Sequence, residues 1–360
     1  MRYLAAIVAL GLLVAFHEFG HLLLARLFRI DVRKFAIGFG PAIFSFKGRN
    51  IEWVLGAIPF GGYVQIRGMN PHEEPEELNA PGSFAKAAAW KRALILAGGS
   101  TANYLLGVAI MFVLLVSGTH IPVPMTIGIV GPGTEAARAQ LKPGDEIVAI
   151  DGVSATSWSS FVEKVNESPN QLLTFRVKRE SEALDLQIKP RPDEKGIGRL
   201  GVTQQYVFKR LPPGEAFLRA FGHVHLVMAE SVHLLYRLVS LRGGVELGSP
   251  VMIVKQTSDA AIEGVDMFLR AVVSITAALA LFNLLPVPAL DGGRLLFVAI
   301  EAATGRPVNQ KFETLLHTMG FVALIGLLLV VATGDVMKLV KGPPKEQIGV
   351  VADGGNPDGG

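Results

Sequence analysis

Two histidines and a glutamate lie inside the first apolar run of this chain, as HEFGH at residues 17–21 of YLAAIVALGLLVAFHEFGHLLLARLF. Ionisable groups at membrane depth are costly and usually face a bundle interior or a wet cavity. On a helix, His17 and His21 are four residues apart and project from one face, so both imidazoles can reach a single metal ion. Glu18 stands beside them as a candidate general base for a water that a metal acidifies to a pKa of about 7. Catalytic zinc takes three protein ligands and keeps one position open, so a third ligand must come from elsewhere. The plainer alternative is a polar helix patch that pairs with neighbouring helices. Three titratable groups in one apolar run count against it.

The candidate third ligand lies in FNLLPVPALDGGRLLF, residues 282–297, where Asp291 is the only carboxylate. A lone buried Asp is expensive unless a proton, a cation or a metal neutralises it. Carboxylate oxygen is an acceptable zinc ligand. Pro286 and Pro288 break a helix here and free backbone groups that must be satisfied inside the protein. Gly292 and Gly293 permit a tight turn. A proline-kinked helix in which Asp291 pairs with Arg294 is the competing reading.

The elements that position these groups are membrane helices. Half of the 360 residues are hydrophobic and 18% are charged, the balance of an integral membrane protein. The formal net charge is +3, which gives no ground for a nucleic-acid partner, and the lack of cysteine excludes disulfides and thiolate metal sites. Four stretches, near 4–27, 93–116, 268–290 and 315–332, are apolar over the roughly 20 residues a bilayer requires. The first follows Arg2 like a signal peptide, but its ionisable cluster and the lack of a small-residue cleavage site favour an uncleaved helix. The connection from Arg26 to Arg92 carries ten Lys/Arg against six Asp/Glu, which assigns it to the cytoplasm. The N-terminus and segment 117–267 then face outward, and the loop near Arg306 and Lys311 faces inward.

The chain divides accordingly. Residues 1–116 form an N-terminal membrane part in which 28–92 is a cytoplasmic or membrane-associated loop. Within it, Ile51–Gly68 mixes strand formers around a Pro-Phe-Gly-Gly turn and reads as a membrane-associated β-hairpin with an edge for an extended substrate. Residues 120–200 form a soluble α+β domain: IGIV, EIVAIDG and LLTFRVK alternate with Gly/Pro turns and the helix-like EAARAQ and SSFVEKV. This domain resembles a PDZ domain, chiefly in LKPGDEIVAIDG, and PDZ folds bind peptides by adding a strand to a sheet edge. Residues 201–267 form a linker in which 214–240 reads as an amphipathic helix near the membrane surface. Residues 268–337 form a C-terminal membrane part, and 338–360 form a Gly/Pro-rich tail expected to be disordered. His223, His225 and His233 offer no i,i+4 pair and no second metal site, and His317 reads as interfacial.

HEFGH together with NLLPVPALDGG resembles the site-2 protease family of intramembrane zinc metalloproteases, peptidase family M50, of the bacterial regulator of sigma-E protease type. GFGP at 38–41, PFGGYVQIRG at 59–68 and GGSTAN at 98–103 match that family in order, so the resemblance runs to about residue 335. It implies His17, His21 and Asp291 as zinc ligands and Glu18 as the base. It implies Asn283, of the NxxPxPxLDG motif, as a substrate-binding residue; Gly61, Gly62 and Tyr63 are the substrate-binding candidates that the hairpin reading itself supplies. An Asn that bonds the kinked backbone is the alternative for Asn283. The expected substrates are single-span membrane proteins or remnant signal peptides, in a bacterial inner membrane with the PDZ domain on the extracytoplasmic side. Two features depart from the pattern: Ser100 stands where proline is common, and one PDZ copy is present where the best-known type has two. The competing functions are a catalytically inactive, membrane-anchored PDZ peptide-binding protein and a metal transporter.

Overall fold

The computed structural model describes residues 2–70, 73–193, 196–240, 249–306 and 308–341. Of the tail expected to be disordered, 342–360 lie outside the described residues. Contacts divide the chain into one unit of residues 1–112 with 217–360 and a second of residues 113–216.

The first unit begins with α1 (Arg2–Leu27), a continuous helix of 26 residues. At 1.5 Å per residue it is about 39 Å long, more than a hydrocarbon core of about 30 Å requires. Two antiparallel strands follow, β1 (Val32–Gly48) and β2 (Ile51–Ile66). Their turn is Arg49–Asn50, both at positive φ (51° and 63°), not the Pro-Phe-Gly-Gly stretch that the sequence suggests. That stretch lies within β2. The ribbon curls, so that Phe35 is paired with Val64 on one side and with Trp53 on the other. After a short helix α2 (Pro75–Asn79) comes α3 (Ala89–Ser117). α1 and α3 meet backbone to backbone: a Cβ on Gly20 would lie 2.2 Å from the Gly98 oxygen.

The second unit carries β3 (Thr119–Val130), α4 (Glu135–Arg138), β4 (Glu146–Ile150), β5 (Val153–Ser154), α5 (Trp158–Asn166), β6 (Leu173–Arg179) and β7 (Glu182–Ile188). β8 (Arg191–Pro192), β9 (Gly198–Arg199) and β10 (Val202–Lys209) complete it. The main sheet runs β10-β3-β4-β6-β7, with β5 paired to β4. Alternation along β6 turns Leu173, Phe175 and Val177 inward, where they pack with Ile127, Ile147 and Phe161. The two helix-like segments of the sequence are helices, each N-capped by a hydroxyl, Thr134 on Ala137 and Ser157 on Ser160. β10 pairs with β3, so the domain's last strand lies beyond residue 200.

The chain returns to the first unit. α6 (Pro213–Val239) begins within the last residues of the second unit and continues into the first, where it buries Ala220 and Val224 four residues apart. Then come α7 (Pro250–Glu263), α8 (Val265–Leu284), α9 (Asp291–Thr304) and α10 (Gln310–Lys341). α1, α3, α8 and residues 311–337 of α10 are long and apolar enough to cross a membrane. The third apolar run, 268–290, is not one helix. Pro286 has no N–H and crowds the residue before it, so Leu285 is extended (φ −64°, ψ 141°) and α8 ends at Leu284. A loop of six residues follows, and helix resumes at Asp291.

Candidate metal centre

α1 carries His17 and His21 on one face, with ring centroids 4.8 Å apart. Asp291 is the first residue of α9. Asp291 Oδ2 is 3.0 Å from His17 Nε2 and 3.1 Å from His21 Nε2, and the two Nε2 atoms are 3.2 Å apart. Among the described residues this is the group of three whose donor atoms converge closely enough to hold one metal. The histidines are 6% and 3% exposed. Asp291 therefore does not pair with Arg294; its partners are the imidazoles.

The supporting contacts set the lone pairs. His21 Nδ1–H donates to the Ile95 carbonyl at 2.7 Å, since a carbonyl only accepts. The Nε2 of the neutral ring is then unprotonated and faces the cluster, the usual arrangement of a ligating histidine. His17 Nδ1 lies 3.4 Å from the Asn103 amide nitrogen, while Asn103 Oδ1 is buried and lacks a partner. Amide nitrogen and oxygen interchange by a half-turn. With Oδ1 toward His17, the Nδ1–H gains an acceptor and the second Nε2 is also free to ligate. Thr276 Oγ1–H donates to the Asn103 carbonyl at 3.2 Å, which fixes α3 against α8 behind the pair.

The residues fit a tetrahedral metal such as zinc. Ligand atoms at 2.0–2.1 Å from a tetrahedral ion stand about 3.3 Å apart, close to the observed edges of 3.0, 3.1 and 3.2 Å. Space is provided by Gly99. A Cβ there would lie 2.5 Å from His21 Nε2 and 2.6 Å from His17 Nε2.

Asp291 is aimed by its loop. Gly292 and Gly293 let α9 start against that loop: their Cβ atoms would lie 2.2 Å from Leu285 O and 2.4 Å from Val287 O. Ala289 has φ +80°, and its N–H donates to His317 Nδ1 of α10 at 2.9 Å. His317 thus supports the ligand loop. Nothing in the sequence links it to Ala289; only the fold does.

Glu18 accepts from the Val64 N–H of β2 at 3.0 Å. Glu18, His21, Tyr63, Val64 and Asp291 line a cavity of about 480 Å³. The remaining sequence candidates do not line it. Asn283 donates to Leu279 O, one turn back on its own helix, at 3.1 Å. A Cβ on Gly61 would strike the Phe39 ring at 2.5 Å, and one on Gly62 would strike the Ala36 carbonyl at 2.6 Å. Both glycines serve the close approach of β2 to β1.

Zinc metalloprotease RasP of Oceanobacillus iheyensis is 29% identical over 93% of this chain and 98% of its own length. The RasP of Geobacillus kaustophilus is 28% identical over 92% and 97%. A Brucella suis relative is 32% identical over 91% of this chain and 92% of its own. Among solved structures, the PDZ domain of the SdrC-like protein of Listeria innocua covers 23% of this chain and 94% of its own, at 24% identity and a TM-score of 0.21. The sequence model of Peptidase family M50 matches residues 5–327, nearly the full length, and the chain belongs to that family.

Proposed function

We propose that this protein is an intramembrane zinc endopeptidase that hydrolyses peptide bonds within or beside the membrane segment of single-span proteins or remnant signal peptides. The observation that carries the reading is the convergence of the donor atoms of His17, His21 and Asp291, with His21 and Asp291 lining the same cavity as Glu18. His17, His21 and Asp291 would hold the zinc. When bound, zinc supplies Lewis acidity, polarising a peptide carbonyl and lowering the pKa of water to about 7. Glu18 takes the proton of the attacking water and returns it to the leaving amine nitrogen. The Val64 N–H keeps that carboxylate in place without consuming its second oxygen.

A peptide bond in a membrane helix is shielded by its own hydrogen bonds, so the substrate must be extended before it is cut. β2 offers the template. Residues 62–66 pair with β1 on one side, while Tyr63 and Val64 line the cavity beside Glu18. An extended substrate adds to that edge as a further strand. The second unit, read as a PDZ domain, lies outside the cytoplasmic membrane of a bacterium and binds a peptide end or excludes substrates with bulky outer domains.

The test is cleavage of a tagged single-span substrate by the purified chain in liposomes, with and without a zinc chelator. Cleavage that the chelator stops and added zinc restores supports the reading. Chelator-resistant cleavage overturns the metal's part. Stoichiometric zinc without cleavage of any of a panel of trimmed single-span substrates favours the inactive peptide-binding protein.

A further inference from the structure

Arg294 stands one turn beyond Asp291 on α9, and its side chain lines three cavities. One is the 480 Å³ cavity of the metal centre, one of about 500 Å³ extends toward Arg92 and Glu301, and one of about 400 Å³ lies along Tyr63–Ile66. Among the described residues Arg294 makes no hydrogen bond and no ion pair. The nearby carboxylates are committed or stand off. Asp291 is held by the two imidazoles, and Glu301 pairs with Arg92 at 2.5 Å. Glu313 shares two of the cavities and feels the charge of Arg294 without closing an ion pair.

A half-buried guanidinium among apolar helices, without a carboxylate, is an expensive arrangement that ordinarily marks a ligand site. The planar fork of Arg matches a carboxylate in bidentate fashion. We propose that Arg294 binds a carboxylate of the chain being cut. The inference rests on the protease reading for the origin of that group, which has two sources. One is an acidic side chain a few residues from the scissile bond. The other is the new C-terminus: hydrolysis adds one water across the C–N bond, leaving a carboxylate on one fragment and an amine on the other. Either carboxylate can reach Arg294 through the shared cavity.

Binding to the full-length Glu18→Gln chain in detergent tests this without turnover, so an inactive wild type leaves the result readable. The probes are three fluorescent apolar decapeptides. The first has an internal Glu and an amidated C-terminus, the second an internal Gln and a free C-terminus, and the third an internal Gln and an amidated C-terminus. We expect the first or the second to bind about ten-fold tighter than the third. Adding Arg294→Gln should erase that difference, and Arg294→Lys should keep part of it. Zinc content reports the folding of each variant. Preference for the first peptide identifies a side-chain carboxylate, and preference for the second identifies the product terminus. Equal binding of all three, or a preference that persists in Arg294→Gln, overturns the proposal.

Discussion

The Val64 N–H of β2 donates to Glu18 Oε2 at 3.0 Å, so the base candidate on α1 is anchored to the strand proposed to hold the substrate. Base and template are therefore aligned by one bond. Gln at position 18 keeps an acceptor for Val64 but cannot take a proton. Glu18→Gln should retain zinc and lose cleavage by about 10²–10⁴-fold, the usual contribution of a general base. Metal analysis and single-turnover cleavage of one preparation check this. Activity within tenfold of wild type would remove Glu18 from proton transfer.

Gly99 keeps the space between the imidazoles open. Gly99→Ala puts a methyl 2.5–2.6 Å from both Nε2 atoms, and α3 cannot retreat without parting Gly98 from Gly20. Zinc affinity, measured by competition with a chromogenic chelator, should fall by at least about 10–100-fold, the range for residues that support ligands. Gly222→Ala on α6 is the matched control. Its Cβ meets nothing within 4 Å, so zinc binding should be unchanged. Wild-type affinity in Gly99→Ala would mean that the histidines ligate in another arrangement.

The part of the centre that the sequence makes legible is the part written in local spacing. His17 and His21 at i,i+4 and a lone Asp291 in an apolar run are signals of residue type. The four apolar spans are legible because bilayer thickness sets their length. The curl of β1 and β2 is not. Arg49–Asn50 lacks the Asn-Gly signature of a tight hairpin, whereas Pro-Phe-Gly-Gly carries turn residues that serve a bend within a strand. The break before α9 is legible in Pro286, Pro288 and the Gly292–Gly293 pair, but which residue restarts the helix is not, because its N-cap, Leu290, carries no capping side chain. Asn103, His317 and Gly99 act across long sequence separations, and such contacts leave no periodicity.

His317 holds the ligand loop through its Nδ1. Ala289 sits at φ +80°, a conformation that costs a non-glycine residue about 1–2 kcal/mol. Its N–H bond to His317 helps offset that cost. His317→Ala should let the loop relax, displace Asp291 and weaken zinc binding about tenfold. His317→Asn, whose Oδ1 can take the place of Nδ1, should recover most of the loss, and so should Ala289→Gly in the His317→Ala background. The visible spectrum of the cobalt-substituted protein reports the ligand geometry of each variant. An unchanged spectrum and affinity in His317→Ala would leave Ala289 held by the loop alone.

The second unit has its own test, at Asp145. Its side chain is 1% exposed, receives two Arg179 bonds at 2.7 Å and accepts from the Lys142 N–H at 2.8 Å. Burial acts to raise the Asp145 pKa, but the Arg179 and Lys142 bonds outweigh it and hold the carboxyl below its usual range. A depressed folded pKa contributes stability that is fully present above the unfolded value of about 3.9 and is lost as pH falls through the folded value. Arg179→Ala should therefore destabilise β4 and β6 by about 2–3 kcal/mol near neutral pH. The gap from wild type should narrow as pH drops below about 4, where the unpaired Asp145 takes up a proton at less cost. Hydrogen exchange at the β4 amides of the full-length chain, corrected for intrinsic rates at each pH, measures both. A gap that stays constant through that window would assign the effect of Arg179 to packing and to its bond with the Gln140 carbonyl at 2.8 Å rather than to the charge of Asp145.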